Sequence, residues 1–149
     1  MRIANALVIV AFAALTGQAH AAECSTSISG SDQMQFDKKE LVIPKGCSSY
    51  SVTLTHTGKL ARNVMGHNWV LSSSADMQGI VTDGMAAGPD KDYLKPGDQR
   101  ILGATKLIGG GQSDAVKLDT TRLKAGQDYS YYCTFPGHSS LMKGKLTVQ

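Results

Sequence analysis

Tyr129-Ser130-Tyr131-Tyr132-Cys133-Thr134-Phe135-Pro136-Gly137-His138-Ser139-Ser140-Leu141-Met142-Lys143-Gly144-Lys145 is the stretch whose reading decides this chain. Alternation through Tyr129, Tyr131, Cys133 and Phe135 predicts a strand with one buried face, and Pro136-Gly137 breaks it into a tight loop. Cys133 then ends the strand while His138 and Met142 ride the loop. A thiol, an imidazole and a thioether are each only four or five residues from the next on a backbone that is already turning, so they can converge on one point. A further ligand must come from elsewhere, and His67 is the candidate, because Gly66 before it lets backbone approach such a site closely. Two imidazoles, a thiolate and a distant thioether suit a soft, redox-active metal and form the ligand set of a blue-copper centre.

Blander readings explain each residue alone but not the set. Met142 alone reads as core packing, Cys133 as a small buried hydrophobe, and His67 or His138 as an ordinary imidazole. Structural zinc wants four cysteine or histidine ligands, and catalytic zinc wants three good ligands and a water, so methionine is wasted on it. A thiol nucleophile paired with histidine explains neither Met142 nor Gly66-His67, and no Asp or Asn is obviously placed to orient the base. A copper enzyme would need a second, open metal site, and only His56 remains in the mature chain to build one. His56 lies on the inward face of an alternating strand and reads as a core histidine.

The remainder of the chain frames this site. Arg2, an apolar run from about Ala6 to Leu15 and Ala19-His20-Ala21 read as a targeting segment cleaved after Ala21, too short an apolar run for a membrane span. Residues 22–149 are then expected to form one domain, without linker or repeat. The net charge is only +3 and the lysines are scattered, which excludes nucleic acid as a partner class. Of three cysteines, Cys24 and Cys47 are paired in this reading, since an exported protein meets an oxidising compartment. Such a bridge stabilises by roughly 3 kcal/mol in the chain-entropy picture. Cys133 is left as the free thiol.

Leu41–Ile43 and Ser49–His56 read as strands of an antiparallel sheet, with Tyr50, Val52, Leu54 and His56 on one face and His67, Trp69 and Leu71 sharing a face of the next. Met77, Ile80, Val81 and Met85 fall at helical spacing, with Ser74 as N-cap and Gly88-Pro89 as stop. Strands return at Arg100–Ala104, Ala115–Leu118 and Lys143–Gln149, the first two separated by a flexible Gly109-Gly110-Gly111. The pattern is an all-β, two-sheet Greek-key sandwich with one short helical insert.

With these residues in place the chain resembles the azurin branch of the cupredoxin family from Ala22 to Gln149. The runs that carry the resemblance include Ala22-Glu23-Cys24-Ser25, Asp32 to Phe36, Asn63 to Leu71, Ala75 to Gly79, Val81 to Met85, Asp90 to Pro96 and Cys133 to Ser139. The helical insert and the Cys24 and Cys47 pair favour this branch over plastocyanin-like and pseudoazurin-like carriers. The resemblance implies an eight-stranded cupredoxin sandwich and a periplasmic protein that cycles one copper ion between Cu(I) and Cu(II) to carry single electrons. It assigns His67, Cys133 and His138 as the close ligands, Met142 as a long axial one and the Gly66 carbonyl as a weak contact. Asn68 and the Phe135 backbone would support the cysteine sulfur, and the His138 ring edge would reach the surface as the electron's exit. An apolar docking patch of Met34, Leu60, Val64, Met65, Met85, Phe135, Pro136 and Leu141 would surround it. The implied partners are redox proteins such as c-type cytochromes or periplasmic reductases and dehydrogenases, met briefly by a monomer without membrane insertion. The competing function class is a copper delivery or storage protein that does not cycle.

Overall fold

A computed structural model describes residues 23–149, so the targeting segment and its cleavage point lie outside the described residues. Among the described residues eight strands form two sheets. The smaller holds β1 (Ser25–Gly30), β3 (Ser49–His56) and β6 (Ser113–Asp119) in the order β1-β3-β6. The larger is built from β2 (Glu40–Ile43), β4 (Val70–Ser73), β5 (Gly103–Ala104), β7 (Tyr129–Tyr132) and β8 (Lys143–Val148) in the order β2-β8-β7-β4-β5. The sandwich read from the sequence is therefore present.

The expectation of a purely antiparallel arrangement is corrected. β1 runs parallel to β3 and β2 parallel to β8; neither pair is joined by a hairpin, since β2 of the other sheet lies between β1 and β3 in the chain and β3 to β7 lie between β2 and β8. The alternation in β3 has a simple cause: Tyr50, Val52, Leu54 and His56 are buried between the sheets while the intervening residues face outward. Together with Ile28, Phe36, Trp69, Leu71, Tyr131 and Leu146 the apolar members fill one core. Trp69 is fully buried, stacks on Tyr131 at 5.7 Å and has no hydrogen-bond partner for its indole nitrogen among the described residues.

A second, smaller core explains why β7 is buried on both faces. Helix α2 (Met77–Ala87) lays Ile80 and Val81 over Val70 and Tyr132, with Met85 facing out. Its N-cap is Asp76 rather than Ser74: Asp76 exchanges hydrogen bonds with Ser73, which draws the chain into the helix later than the Ser74 reading supposed. Gly88 ends it at φ +79°, a conformation that favours glycine. The strand expected over Arg100–Ala104 shrinks to two residues, because Asp98 to Ile101 is a turn held by the Arg100 guanidinium on Asp98 at 2.6 Å and Asp83 at 2.6 Å. Nor are Gly109, Gly110 and Gly111 loose: their amides donate to the Gln112 side chain and to the carbonyls of Leu60 and His56.

Arg100 holds the Asp98 and Asp83 carboxyls below the usual carboxylate range, chiefly by hydrogen bonding. A folded-state value below the unfolded one contributes stability that is present above the ordinary carboxylate pKa and lost as pH falls through the folded value. Asp98→Asn is thus expected to lower the melting temperature at pH 7 and to narrow the gap between pH 7 and pH 3. A variant whose melting temperature keeps the parent's full acid sensitivity would count against this role.

Candidate metal centre

Three pieces of chain meet at one end of the sandwich. The first leaves β1 at Gly30 and Ser31. The second is a single helical turn, α1 (Arg62–Met65), followed by Gly66, His67 and Asn68 on the way into β4. The third is the loop from Cys133 to Met142 between β7 and β8, which Gly137 turns at φ +82°.

The donor atoms of His67, Cys133 and His138 all lie within 4.8 Å of one another, and the three residues are 0%, 0% and 3% exposed. Among the described residues they form a group able to hold a metal ion. Cys133 Sγ is 3.6 Å from His138 Nδ1 and 3.9 Å from the Gly66 carbonyl oxygen. Backbone clamps the loop on itself: Cys133 N–H donates to the Met142 carbonyl at 3.0 Å and Met142 N–H to the His138 carbonyl at 2.8 Å. Met142 is fully buried, and a Cβ added to Gly30 would come 2.6 Å from its Cε and 2.8 Å from His67 Cδ2. Glycine at position 30 leaves the room in which those two side chains lie together.

The tautomer of His67 follows from its neighbours. Its Nε2 faces the Ser31 carbonyl at 2.9 Å, and a carbonyl only accepts, so Nε2 carries the proton. Nδ1 is left with its lone pair 3.0 Å from the Gly66 carbonyl oxygen. Two lone pairs set side by side, with a buried sulfur 3.9 Å from that oxygen, are an arrangement that a cation relieves. The donor chemistry of imidazole, thiol and thioether suits copper. Burial pushes the Cys133 thiol up to about 12 despite amide hydrogen bonds from Asn68 and Phe135, pulls His138 down to about 4 and lowers His67. Near pH 7 the metal-free site is a neutral thiol beside neutral imidazoles.

His67, Cys133 and His138 thus come together, Met142 lies buried beside His67, and His56 stays outside that donor group. It is buried, donates from Nε2 to the Met65 carbonyl at 2.8 Å, accepts from Gly58 N–H at 3.0 Å on Nδ1, and stacks on His67 at 4.2 Å. Asn68 does more than expected: its side-chain oxygen accepts from Thr134 N–H at 2.8 Å, and its nitrogen donates to Thr134 Oγ1 and the Asp92 carbonyl. Ser31, Gly30 and Thr134 were not singled out from the sequence. The Ser31 carbonyl and the Thr134 amide have no signature in residue type, while the missing methyl of Gly30 and the Thr134 hydroxyl belong to residue types too common to stand out. Cys24 and Cys47 are bonded as expected, with Cα atoms 5.6 Å apart, and Cys133 is the free cysteine among the described residues.

Of the anticipated docking patch, Leu60, Val64, Met85, Pro136 and Leu141 are exposed, while Met34, Met65 and Phe135 are half-buried. Of the three donor residues only His138 keeps any exposure, 3%, and Phe135 packs on its ring at 4.5 Å.

A fold of this kind around two histidines and a cysteine defines a cupredoxin, and comparison with known proteins agrees. Residues 22–149 match the family of copper binding proteins described as the plastocyanin/azurin family, and the chain belongs to it. More particularly, it is 59% identical over 129 residues to azurin of Pseudomonas aeruginosa, covering 87% of each chain. It is 58% identical over 136 residues to azurin of Bordetella pertussis, covering 91% of each, and 59% identical over 127 residues to azurin-1 of Alcaligenes xylosoxydans, covering 85% of this chain and 98% of that one.

Proposed function

We propose that this protein is a blue-copper electron carrier of the periplasm, acting as one domain over residues 22–149. The observation that carries the reading is the cluster of His67, Cys133 and His138, with three donor atoms within 4.8 Å in residues no more than 3% exposed. Copper bound there supplies a one-electron couple, Cu(I)/Cu(II). His67 and His138 present neutral imidazoles, and Cys133 presents a thiolate once its proton has left. Met142 and the Gly66 carbonyl are the weaker contacts in this reading. The amides of Asn68 and Phe135 steady the sulfur, and the double hydrogen bond between Asn68 and Thr134 fixes the backbone on both sides of it. Because the loop and the strands are clamped by their own backbone, the donors keep their places whichever charge the site carries. A closed site also excludes substrate, so the proposal is a carrier and not an enzyme.

Cyclic voltammetry of the copper-loaded protein tests this. A reversible one-electron wave is expected. An irreversible response accompanied by metal loss would point instead to copper delivery or storage.

The apolar surface of Leu60, Val64, Met85, Pro136 and Leu141 fits brief docking of redox proteins, whose interfaces bury less than about 1,200 Å². Met65 sits at its edge. Met65→Lys is expected to slow electron exchange with a redox partner roughly tenfold while leaving the visible spectrum alone, since it places a charge where apolar surface must be desolvated. Stopped-flow rates equal to the parent's would remove this surface from the account.

A further inference from the structure

We infer that Arg62 is a positioning residue for the metal centre, acting through Asp92 and Asn68 on the backbone beside Cys133. The inference rests on the copper-site reading above and adds a residue outside its ligands and their immediate supports. Arg62 opens α1, and its guanidinium reaches three points on other segments. Nε donates to the Leu107 carbonyl at 2.9 Å, and one terminal nitrogen donates to the Pro89 carbonyl at 2.9 Å and to the Asp92 carboxylate at 2.7 Å.

Two of those points, Leu107 and Asp92, lead back to the centre. Leu107 precedes Ile108, whose amide and carbonyl pair with those of His67 at 2.8 and 2.9 Å. Asp92 and Tyr93 both adopt left-handed backbone, at φ 56° and 54°. Side chains other than glycine rarely hold that conformation in succession, and they do so only where the surroundings impose it. The kink aims the Asp92 carbonyl at Asn68 Nδ2, 2.9 Å away, and sets Tyr93 edge-on to Phe135 at 5.4 Å. Asn68 in turn receives the Thr134 amide at 2.8 Å, one residue beyond Cys133. The Arg62 carbonyl also lies against Gly66, leaving no space for a Cβ there. One side chain therefore ties together the turn that delivers His67 and the kink that orients Asn68. Arginine suits this place because its planar fork serves Leu107 on one edge and Pro89 with Asp92 on another, which the point charge of lysine does not reproduce.

The test uses Arg62→Ala, Arg62→Lys and Asp92→Asn in the full mature protein. In metal-free Arg62→Ala the Thr134 amide is expected to exchange with solvent about tenfold faster than in the parent, the order of one lost hydrogen bond, while the amides of Val52 and Leu54 in β3 keep their rates. In the copper-loaded form the thiolate-to-copper band and the reduction potential are expected to shift, and Arg62→Lys to recover part of both shifts. A lower melting temperature with parent Thr134 exchange, band and potential would reduce Arg62 to a surface tie and overturn the inference. Should Arg62→Ala fail to fold, Asp92→Asn decides by the same readouts, and a parent-like Thr134 rate there overturns it as well. Absence of a blue band in the parent would sink the copper reading, while the exchange rates, taken without metal, would still decide the role of Arg62.

Discussion

Cys133→Ser protein given Cu(II) is expected to show none of the intense blue thiolate-to-copper absorption that the parent shows. The substitution makes the buried side chain only slightly smaller, and the new hydroxyl has the Gly66 carbonyl and His138 Nδ1 beside it, so the fold is expected to survive. It replaces a soft, polarisable sulfur by a hard hydroxyl that gives up its proton far less readily, and the band has no donor orbital left. A proton count makes the expectation quantitative. Near pH 7 the metal-free parent holds Cys133 protonated, its pKa pushed up to about 12 by burial, and His138 neutral, its pKa pulled down to about 4 for the same reason. Loading the parent at that pH is expected to release about one proton per ion, from the thiol alone, and the variant to release none.

The same shifts set the pH window of the metal-free fold. His138 has a folded value below its ordinary 6.5, so stability falls as pH drops from 6.5 toward 4. Cys133 has a folded value above its ordinary 9.0, so stability also falls as pH rises from 9 toward 12, and only in the parent, since serine does not titrate there. Melting temperatures of both metal-free proteins from pH 4 to 11 check the pair of limits. A blue band in Cys133→Ser, or a parent that binds Cu(II) without releasing a proton, would mean that sulfur is not the donor.

What could be read in advance follows the physics of each element. Strand β3 was legible because its outer face meets water, so burial alternates with residue number from Ser49 to His56. Around Tyr132 and Val70 the rule fails, since α2 covers the second face and both parities become apolar or buried. Parallel pairing of β1 with β3 and β2 with β8 leaves no local mark, because register is set by residues far along the chain. The helical turn α1 is too short for periodicity to show. In the centre, His67, Cys133, His138 and Met142 announce themselves through side-chain chemistry and spacing. Ser31 acts through a carbonyl and Thr134 through its amide, atoms that every residue type shares, and the Thr134 hydroxyl that meets Asn68 belongs to a residue type too common to stand out, so only the fold reveals them. Gly66 stands between these cases: residue type suggested close approach, and the structure shows what approaches.

Gly66→Ala is expected to be the most damaging single methyl in the chain's approach to the centre. Gly66 has φ −64°, so alanine meets no backbone preference against it, and the whole cost is steric. Its Cβ would strike the Arg62 carbonyl and lie 2.9 Å from Leu107 Cγ. A side chain such as Leu107 can turn away, but the Arg62 carbonyl belongs to α1 and moves only if that turn moves. Shifting α1 displaces the Gly66 carbonyl, which faces His67 Nδ1 at 3.0 Å and Cys133 Sγ at 3.9 Å. Overpacking of this kind costs about 1–3 kcal/mol, so the melting temperature of metal-free protein should fall, and the copper-loaded band should shift with it. The double variant Gly66→Ala with Leu107→Ala separates the two obstacles. If the backbone carbonyl dominates, removing the leucine adds a cavity and rescues neither stability nor spectrum. Recovery of both in the double variant would show that the leucine was the obstacle, and that the α1 backbone does not set the place of the Gly66 carbonyl.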